Sequence, residues 1–298
     1  MGFPLDTPPH KGGASGTPLG DARDDPPEDV ETLELDLFLQ GVYRHYGYDF
    51  RGYARSSLRR RLANVMRAER VATISALQDQ VLHNHAAWDR CLQGISVNVS
   101  EMFRDPSFFL TFRRVAVPML RTYPFIRIWQ AGASLGEEAY SLAILLHEEG
   151  LYDRSLIYAT DINEAALRQA RDGIYPADLM QRYTQNYMAA GGTRSFSEYY
   201  TARYDFAILR PSLRDNIVFS QHNLVSDGPF NEFNVVLCRN VMIYFTRPLQ
   251  EQSLSLLHAS LGKFGVLGLG AGESLRLTRF DKLYEPLAEG QKLYKRIA

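Results

Sequence analysis

From residue 125 onward the chain alternates short apolar runs with amphipathic segments of helical length. No other feature restricts the possible fold as much. Residues 125–130 (FIRIWQ), 156–160 (LIYAT), 217–220 (IVFS), 235–238 (VVLC) and 266–269 (VLGL) are rich in β-branched and aromatic side chains and read as strands. Between them, residues 137–149 form a helical pattern ending at Gly150, and residues 163–171 form another that stops at Gly173. A third opens at Pro248 and runs to Gly262, with proline at its start and glycine past its end. Strands separated by helices of this length imply a parallel, doubly wound sheet, so the expected class is α/β and Rossmann-like. Residues 292–297 are expected to add a last, edge strand.

The remainder divides by composition. Residues 1–33 are crowded with proline, glycine and aspartate, and with little to bury they are expected to form a disordered tail. Residues 34–110 carry helical periodicity, with Leu58, Leu62, Val65 and Met66 on one side and arginines on the other, which predicts a small all-α domain. Residues 111–298 hold the α/β pattern, interrupted at about 183–216 by a tyrosine- and phenylalanine-rich stretch with Gly191-Gly192 as a turn. An insertion of that length reads as a small antiparallel β-subdomain.

Bulk properties exclude several classes. The formal net charge is −1, so any electrostatic argument must be local; nucleic acid, the rival partner for an arginine-rich run at 51–70, is not expected because the rest of the chain is not basic. The two cysteines, Cys91 and Cys238, are distant and make no CxxC pair, which excludes a zinc ribbon and a disulfide framework and fits a reducing compartment; no metal is expected. No apolar run approaches the roughly 18 residues that span a bilayer, and no signal-peptide pattern opens the chain, so a cytoplasmic protein not inserted in a membrane is expected.

The chemistry is read from the strand ends. The first strand runs into Ala131-Gly-Ala-Ser-Leu-Gly-Glu-Glu138, a glycine-containing turn that lets a ligand approach the backbone but does not complete GxGxxG. Glu137 and Glu138 at the following helix start would repel a pyrophosphate and suit a cationic ligand; acidic residues there also complement the helix dipole. Asp161 ends the second strand, where it can bind ribose hydroxyls or cap the next helix, a role Asn163 fills equally well. Arg239 and Asn240 follow a buried strand abruptly, on the edge where α/β proteins bind ligands.

Four blocks carry a resemblance: residues 97–105 (VNVSEMFRD), 136–141 (GEEAYS), 158–162 (YATDI) with 170–175 (ARDGIY), and 238–245 (CRNVMIYF). On these the chain resembles the bacterial chemotaxis-receptor methyltransferases, the CheR family of protein-glutamate O-methyltransferases, from about residue 36 to the end. The resemblance implies a class I S-adenosylmethionine-dependent domain, a helical N-terminal domain and an inserted β-subdomain. It also implies cofactor contacts at Asn98, Ser100, Arg104, Glu137, Asp161, Asn223, Leu224, Arg239 and Asn240, with Glu138 the alternative to Glu137. Arg104 and Tyr244 match the positions the family places beside the transferred methyl. Departures are Val97, Leu135 and the Ala271-Gly272 pair within Gly270–Glu273, where the family usually has threonine, threonine and His-Ser.

In the family, the basic second helix and the β-subdomain contact receptors. Here Arg51, Arg55, Arg59, Arg60, Arg61, Arg67 and Arg70 form a basic run opposed in sequence only by Glu69, and Arg51, Arg55, Arg59, Arg60 and Arg67 are expected to dock acidic methyl-accepting chemotaxis receptors. The resemblance thus points to a monomeric enzyme methylating receptor glutamates for sensory adaptation. A small-molecule methyltransferase and a non-catalytic S-adenosylmethionine-binding adaptor are the competing readings.

Overall fold

A computed structural model of the chain describes Gly2 and residues 29–96 and 100–298. Four helices come first: α1 (Val30–Tyr46), α2 (Arg55–Glu69), α3 (Ile74–His83) and α4 (His85–Ile95). Thr73 caps α3, accepting from the Ala76 amide, and Asn84 caps α4, accepting from Ala86 and Ala87. Their apolar faces close on one core holding Phe38, Leu58, Leu62, Leu77 and Trp88. Residues 100–110, expected with this domain, belong elsewhere. Met102, Phe103, Phe108 and Phe109 bury against the sheet, as do α5 (Pro106–Thr111), the wide helical turn after it and α6 (Val117–Leu120).

The sheet begins with β1 (Ile126–Ala131), α7 (Glu137–Glu148), β2 (Ser155–Asp161) and α8 (Glu164–Asp172). Asn163 caps α8 through Ala165 and Ala166, and Gly173, at φ +62°, lets the chain leave it in the left-handed region. An excursion follows: β3 (Ile174–Pro176), α9 (Met180–Ala189), β4 (Tyr200–Arg203) and β5 (Phe206–Leu209), forming an antiparallel sheet in the order β3-β5-β4. It starts before residue 183, and Tyr183–Ala189 are helical, because their aromatic rings pack on α5 and Phe196 at helical spacing. The buried Glu148 carboxylate braces the excursion, accepting from Arg113, Tyr187, Thr193 and Tyr199.

The main chain returns through β6 (Ile217–Gln221), β7 (Phe233–Cys238), α10 (Arg247–Ser260), β8 (Leu261–Leu269), β9 (Tyr284–Pro286) and β10 (Leu293–Arg296). The large sheet has the order β6-β2-β1-β7-β8-β10-β9. β1, β2, β6, β7 and β8 run parallel, while β10 is antiparallel to both its neighbours. Consecutive residues of β1 and β7 feed opposite cores: Ile126, Ile128, Val235 and Leu237 on one face, Trp129, Ala131, Val236 and Cys238 on the other. That explains the unbroken apolar runs of these strands. Two expectations change. β10 lies inside the sheet, because β9 pairs with it and takes the edge. Gly262 does not end the preceding helix but sits in β8, which starts one residue after α10.

Candidate active site

Above the carboxyl ends of β1, β2 and β7 lies a cleft closed on one side by the helical domain. Its wall includes Ser100, Arg104, Gln130, Ser134, Glu138, Asp161, Arg239, Asn240 and Tyr244, with Phe50, Tyr53, Arg61 and Ile95 contributed by the helical domain. The sequence blocks singled out above therefore converge, as the switch point between β1 and β7 requires.

Strained backbone builds this wall. Of the eight non-glycine residues at positive φ among the described residues, Phe103, Asp105, Ser134 and Asn240 all belong to the cleft's supporting turns. Phe103 (φ +52°) and Asp105 (φ +56°) flank Arg104, so its side chain is presented by a kink rather than by a helix or strand. The Phe103 amide is pinned by donating to Ser141 Oγ at 2.8 Å.

The acids behave differently from one another. Glu138 donates nothing to a ligand's charge balance, because its carboxylate pairs with Arg239 at 2.6 Å. Arg239 also reaches Asp105 at 2.9 Å and the Arg104 carbonyl at 3.0 Å, and lies over the Phe108 ring. With a side chain 1% exposed, Arg239 lines the cleft while clamping the Arg104 kink. Glu137, 3% exposed at the start of α7, lacks such a cation among the described residues; burial pushes its carboxyl up to about 7, against the opposing help of Ser100. Asp161 accepts from the Ser134 amide (2.8 Å) and the Asn163 amide (2.9 Å), while burial raises its carboxyl above the ordinary value. It is thus the post that holds the glycine turn, and Asn163 alone caps α8.

Several buried polar atoms have no partner among the described residues: Gln130 Oε1, Ser134 Oγ, Glu137 Oε2, Glu138 Oε1 and Arg239 Nε. Four of these five can accept a hydrogen bond; Glu137, an acid with no paired cation among the described residues, is the one of the five residues that is not part of the cleft wall. The set fits a ligand bringing hydroxyl and ammonium donors, as S-adenosylmethionine does.

Other expectations fare differently. Asn223 and Leu224 follow β6 but are not part of the cleft wall. The Asn223 side chain accepts from the Val225 amide at 2.9 Å in a local turn, and Leu224 enters the core with Trp129 and Phe233. Asn98 lies outside the described residues. The basic run is opposed after all, by acids outside it: Arg55 pairs with Asp36 and Arg59 with Glu31, both on α1, and Arg51 pairs with Asp49 two residues before it. Glu69 instead pairs with Arg90 of α4 at 2.6 Å. Arg60, Arg67 and Arg70 face solvent with no ion pair among the described residues.

Two residues of the site escaped sequence reasoning. Arg61 turns inward, donating to the Ile95 carbonyl at 2.6 Å and lying 4.3 Å from the centre of the Tyr244 ring. It lies three residues after Leu58, on the same inward face of α2, and the arginine run around it hid that spacing. Glu273 is buried beneath the turn after β7, accepting from the Asn240, Val241 and Met242 amides.

Comparison with known proteins identifies the family. Residues 98–287 match the model of the CheR methyltransferase SAM-binding domain, and residues 33–96 match that of the CheR all-alpha domain. A Pseudomonas putida protein named "Putative methyltransferase Cher3" is 47% identical over 89% of this chain and 97% of its own length. A Listeria monocytogenes chemotaxis protein methyltransferase is 28% identical, over 83% of this chain and 92% of its own. A solved Geobacter sulfurreducens SAM-dependent methyltransferase, in complex with S-adenosyl-L-homocysteine, overlaps 54% of this chain and 46% of that one at 15% identity and a TM-score of 0.30. With both family models covering nearly all of residues 33–287, the chain belongs to the CheR methyltransferases, which take S-adenosylmethionine as cofactor.

Proposed function

We propose that the chain methylates glutamate side chains of chemotaxis receptors, forming methyl esters. The observation that supports this most is the convergence of Arg104 and Tyr244 on the cleft whose wall includes the unpartnered acceptors of Gln130, Ser134 and Glu138. In this reading Glu137 meets the ammonium of S-adenosylmethionine, and Ser134 and Gln130 offer acceptors to its remaining donors. When bound, the cofactor supplies an electrophilic methyl on a cationic sulfur.

The protein's contribution is placement. A glutamate side chain has an ordinary pKa of about 4.3, so it arrives as an anion and needs no general base. Arg104 and the Tyr244 hydroxyl orient that anion, while Phe50, Tyr53 and Arg61 shield the cleft from water. An arginine gripping the carboxylate too tightly would stabilise the ground state, so Arg104 positions rather than neutralises. The exposed Arg60, Arg67 and Arg70 offer acidic receptor helices a landing face.

The test is transfer of labelled methyl from S-adenosylmethionine to purified receptor fragments, followed by release of label in mild base, as esters require. Cofactor binding without transfer to any fragment would instead favour an adaptor; label on small molecules alone would favour the small-molecule reading.

A further inference from the structure

Glu273 stands four residues past the end of β8, outside the cleft wall, yet it holds three consecutive amides of the turn after β7. Its Oε2 accepts from the Gly270 amide at 2.6 Å and the Asn240 amide at 3.1 Å. Its Oε1 accepts from Val241 at 2.9 Å and Met242 at 2.7 Å. One carboxylate therefore collects four backbone N–H groups from two separate strand ends. The short helical turn Met242–Tyr244 has no side-chain cap of its own, and Glu273 caps it from another loop.

The need for such a cap is visible in the backbone. Asn240 is held at φ +61°, a conformation that costs free energy in a non-glycine residue. Gly270 approaches so closely that a Cβ there would lie 2.6 Å from the Asn240 nitrogen. On its far side the same turn is stitched to the helical domain: Ala54 N donates to the Tyr244 carbonyl at 2.8 Å, and Thr246 N to the Gly52 carbonyl at 2.8 Å. The turn carrying Asn240 and Tyr244 is thus suspended between a buried carboxylate and the chain just before α2.

We propose that Glu273 is the positioning residue of the active site, holding Asn240 toward the cofactor and Tyr244 toward the incoming carboxylate without touching either ligand. This rests on the cleft being the methyl-transfer site proposed above. The Ala271-Gly272 departure leaves this cap intact, since none of its four hydrogen bonds involves those side chains.

The test compares wild type with Glu273→Gln and Glu273→Asp. Glutamine keeps the shape but turns an NH2 toward amide donors, and aspartate keeps the charge with a shorter reach. S-adenosylhomocysteine affinity is measured by titration calorimetry, and exchange of the Val241 and Met242 amides by NMR. Glu273→Gln is expected to weaken binding about tenfold and Glu273→Asp about threefold, as loss of charge-assisted hydrogen bonds implies, with faster amide exchange in both. Val81→Ala, a buried α3 substitution, serves as the control: it lowers thermal stability and leaves affinity unchanged. Should Glu273→Gln fail to fold, the aspartate variant carries the comparison. Unchanged affinity in the folded variants, or an equal loss in Val81→Ala, overturns the proposal. Calorimetry needs no receptor, so a wild type that binds S-adenosylhomocysteine but methylates no receptor fragment refutes the substrate assignment and not the role of Glu273.

Discussion

Replacing Glu137 with glutamine exchanges a buried carboxyl for a neutral amide of the same shape. In the folded protein burial raises that carboxyl from its ordinary 4.5 to about 7. A carboxyl raised on folding favours the native state fully below its unfolded value, and this contribution is lost as pH rises through the folded one. The window is therefore pH 4.5 to about 7. Burying Glu137 costs the wild type about 1 kcal/mol near pH 5.5, where the folded carboxyl must take up a proton, and about 3 kcal/mol above pH 8, where it is held ionised, taking one pKa unit as about 1.4 kcal/mol. Glutamine carries no such cost. Glu137→Gln is expected to be more stable than wild type by those amounts in urea unfolding, with the gap widening as pH rises. Calorimetry of the same variant is expected to show weakened S-adenosylmethionine binding, because the anion proposed to face the ammonium is gone. Wild-type affinity should itself decline as pH falls below about 7. A variant no more stable than wild type near pH 8 would refute the argument that Glu137 is a buried acid kept for its ligand.

Tyr244→Phe and Arg104→Ala are expected to lower kcat for receptor methylation by about tenfold or more while leaving the urea midpoint nearly unchanged; equal turnover would remove both from the chemical step. Reversing Arg60 and Arg67 to glutamate should raise KM for a receptor fragment and flatten its salt dependence, with S-adenosylhomocysteine affinity unaltered; an identical salt response in both proteins would return these arginines to an idle solvent face. Arg113→Ala leaves the buried Glu148 without its cation and is expected to destabilise the fold by about 3–5 kcal/mol in denaturant titration, with most of the loss avoided in an Arg113→Ala, Glu148→Gln double variant.

Legibility in the sequence followed the range of the interactions concerned. The helix stop at Gly173 and the cap at Asn163 are local chemistry, and both stand where composition put them. The central strands were readable because both faces are buried, which leaves continuous apolar runs. β9, only three residues long, owes its existence to pairing with β10, and no pattern within three residues announces that. The excursion's helix was hidden because tyrosines favour strands in isolation yet here pack at helical spacing. Within the cleft, Arg239, Asn240 and Asp161 were legible as polar groups breaking out of buried strands. Glu273 and Arg61 were not, since each acts on residues far away in sequence: Asn240–Met242 for one, Ile95 and Tyr244 for the other. The neutralising partners of Arg55 and Arg59 were concealed for the same reason, lying a helix earlier on α1.

Because Phe50, Tyr53, Arg61 and Ile95 form part of the cleft wall, the helical domain is not an interchangeable attachment. A chimera that borrows this domain from a relative, intending only to redirect the enzyme to another receptor, would also replace a wall of the reaction chamber and the backbone stitches at Gly52 and Ala54. On the proposed function, choice of receptor and rate of transfer are inherited together, and engineering one without the other requires grafting α2's outer face while leaving its inner face in place.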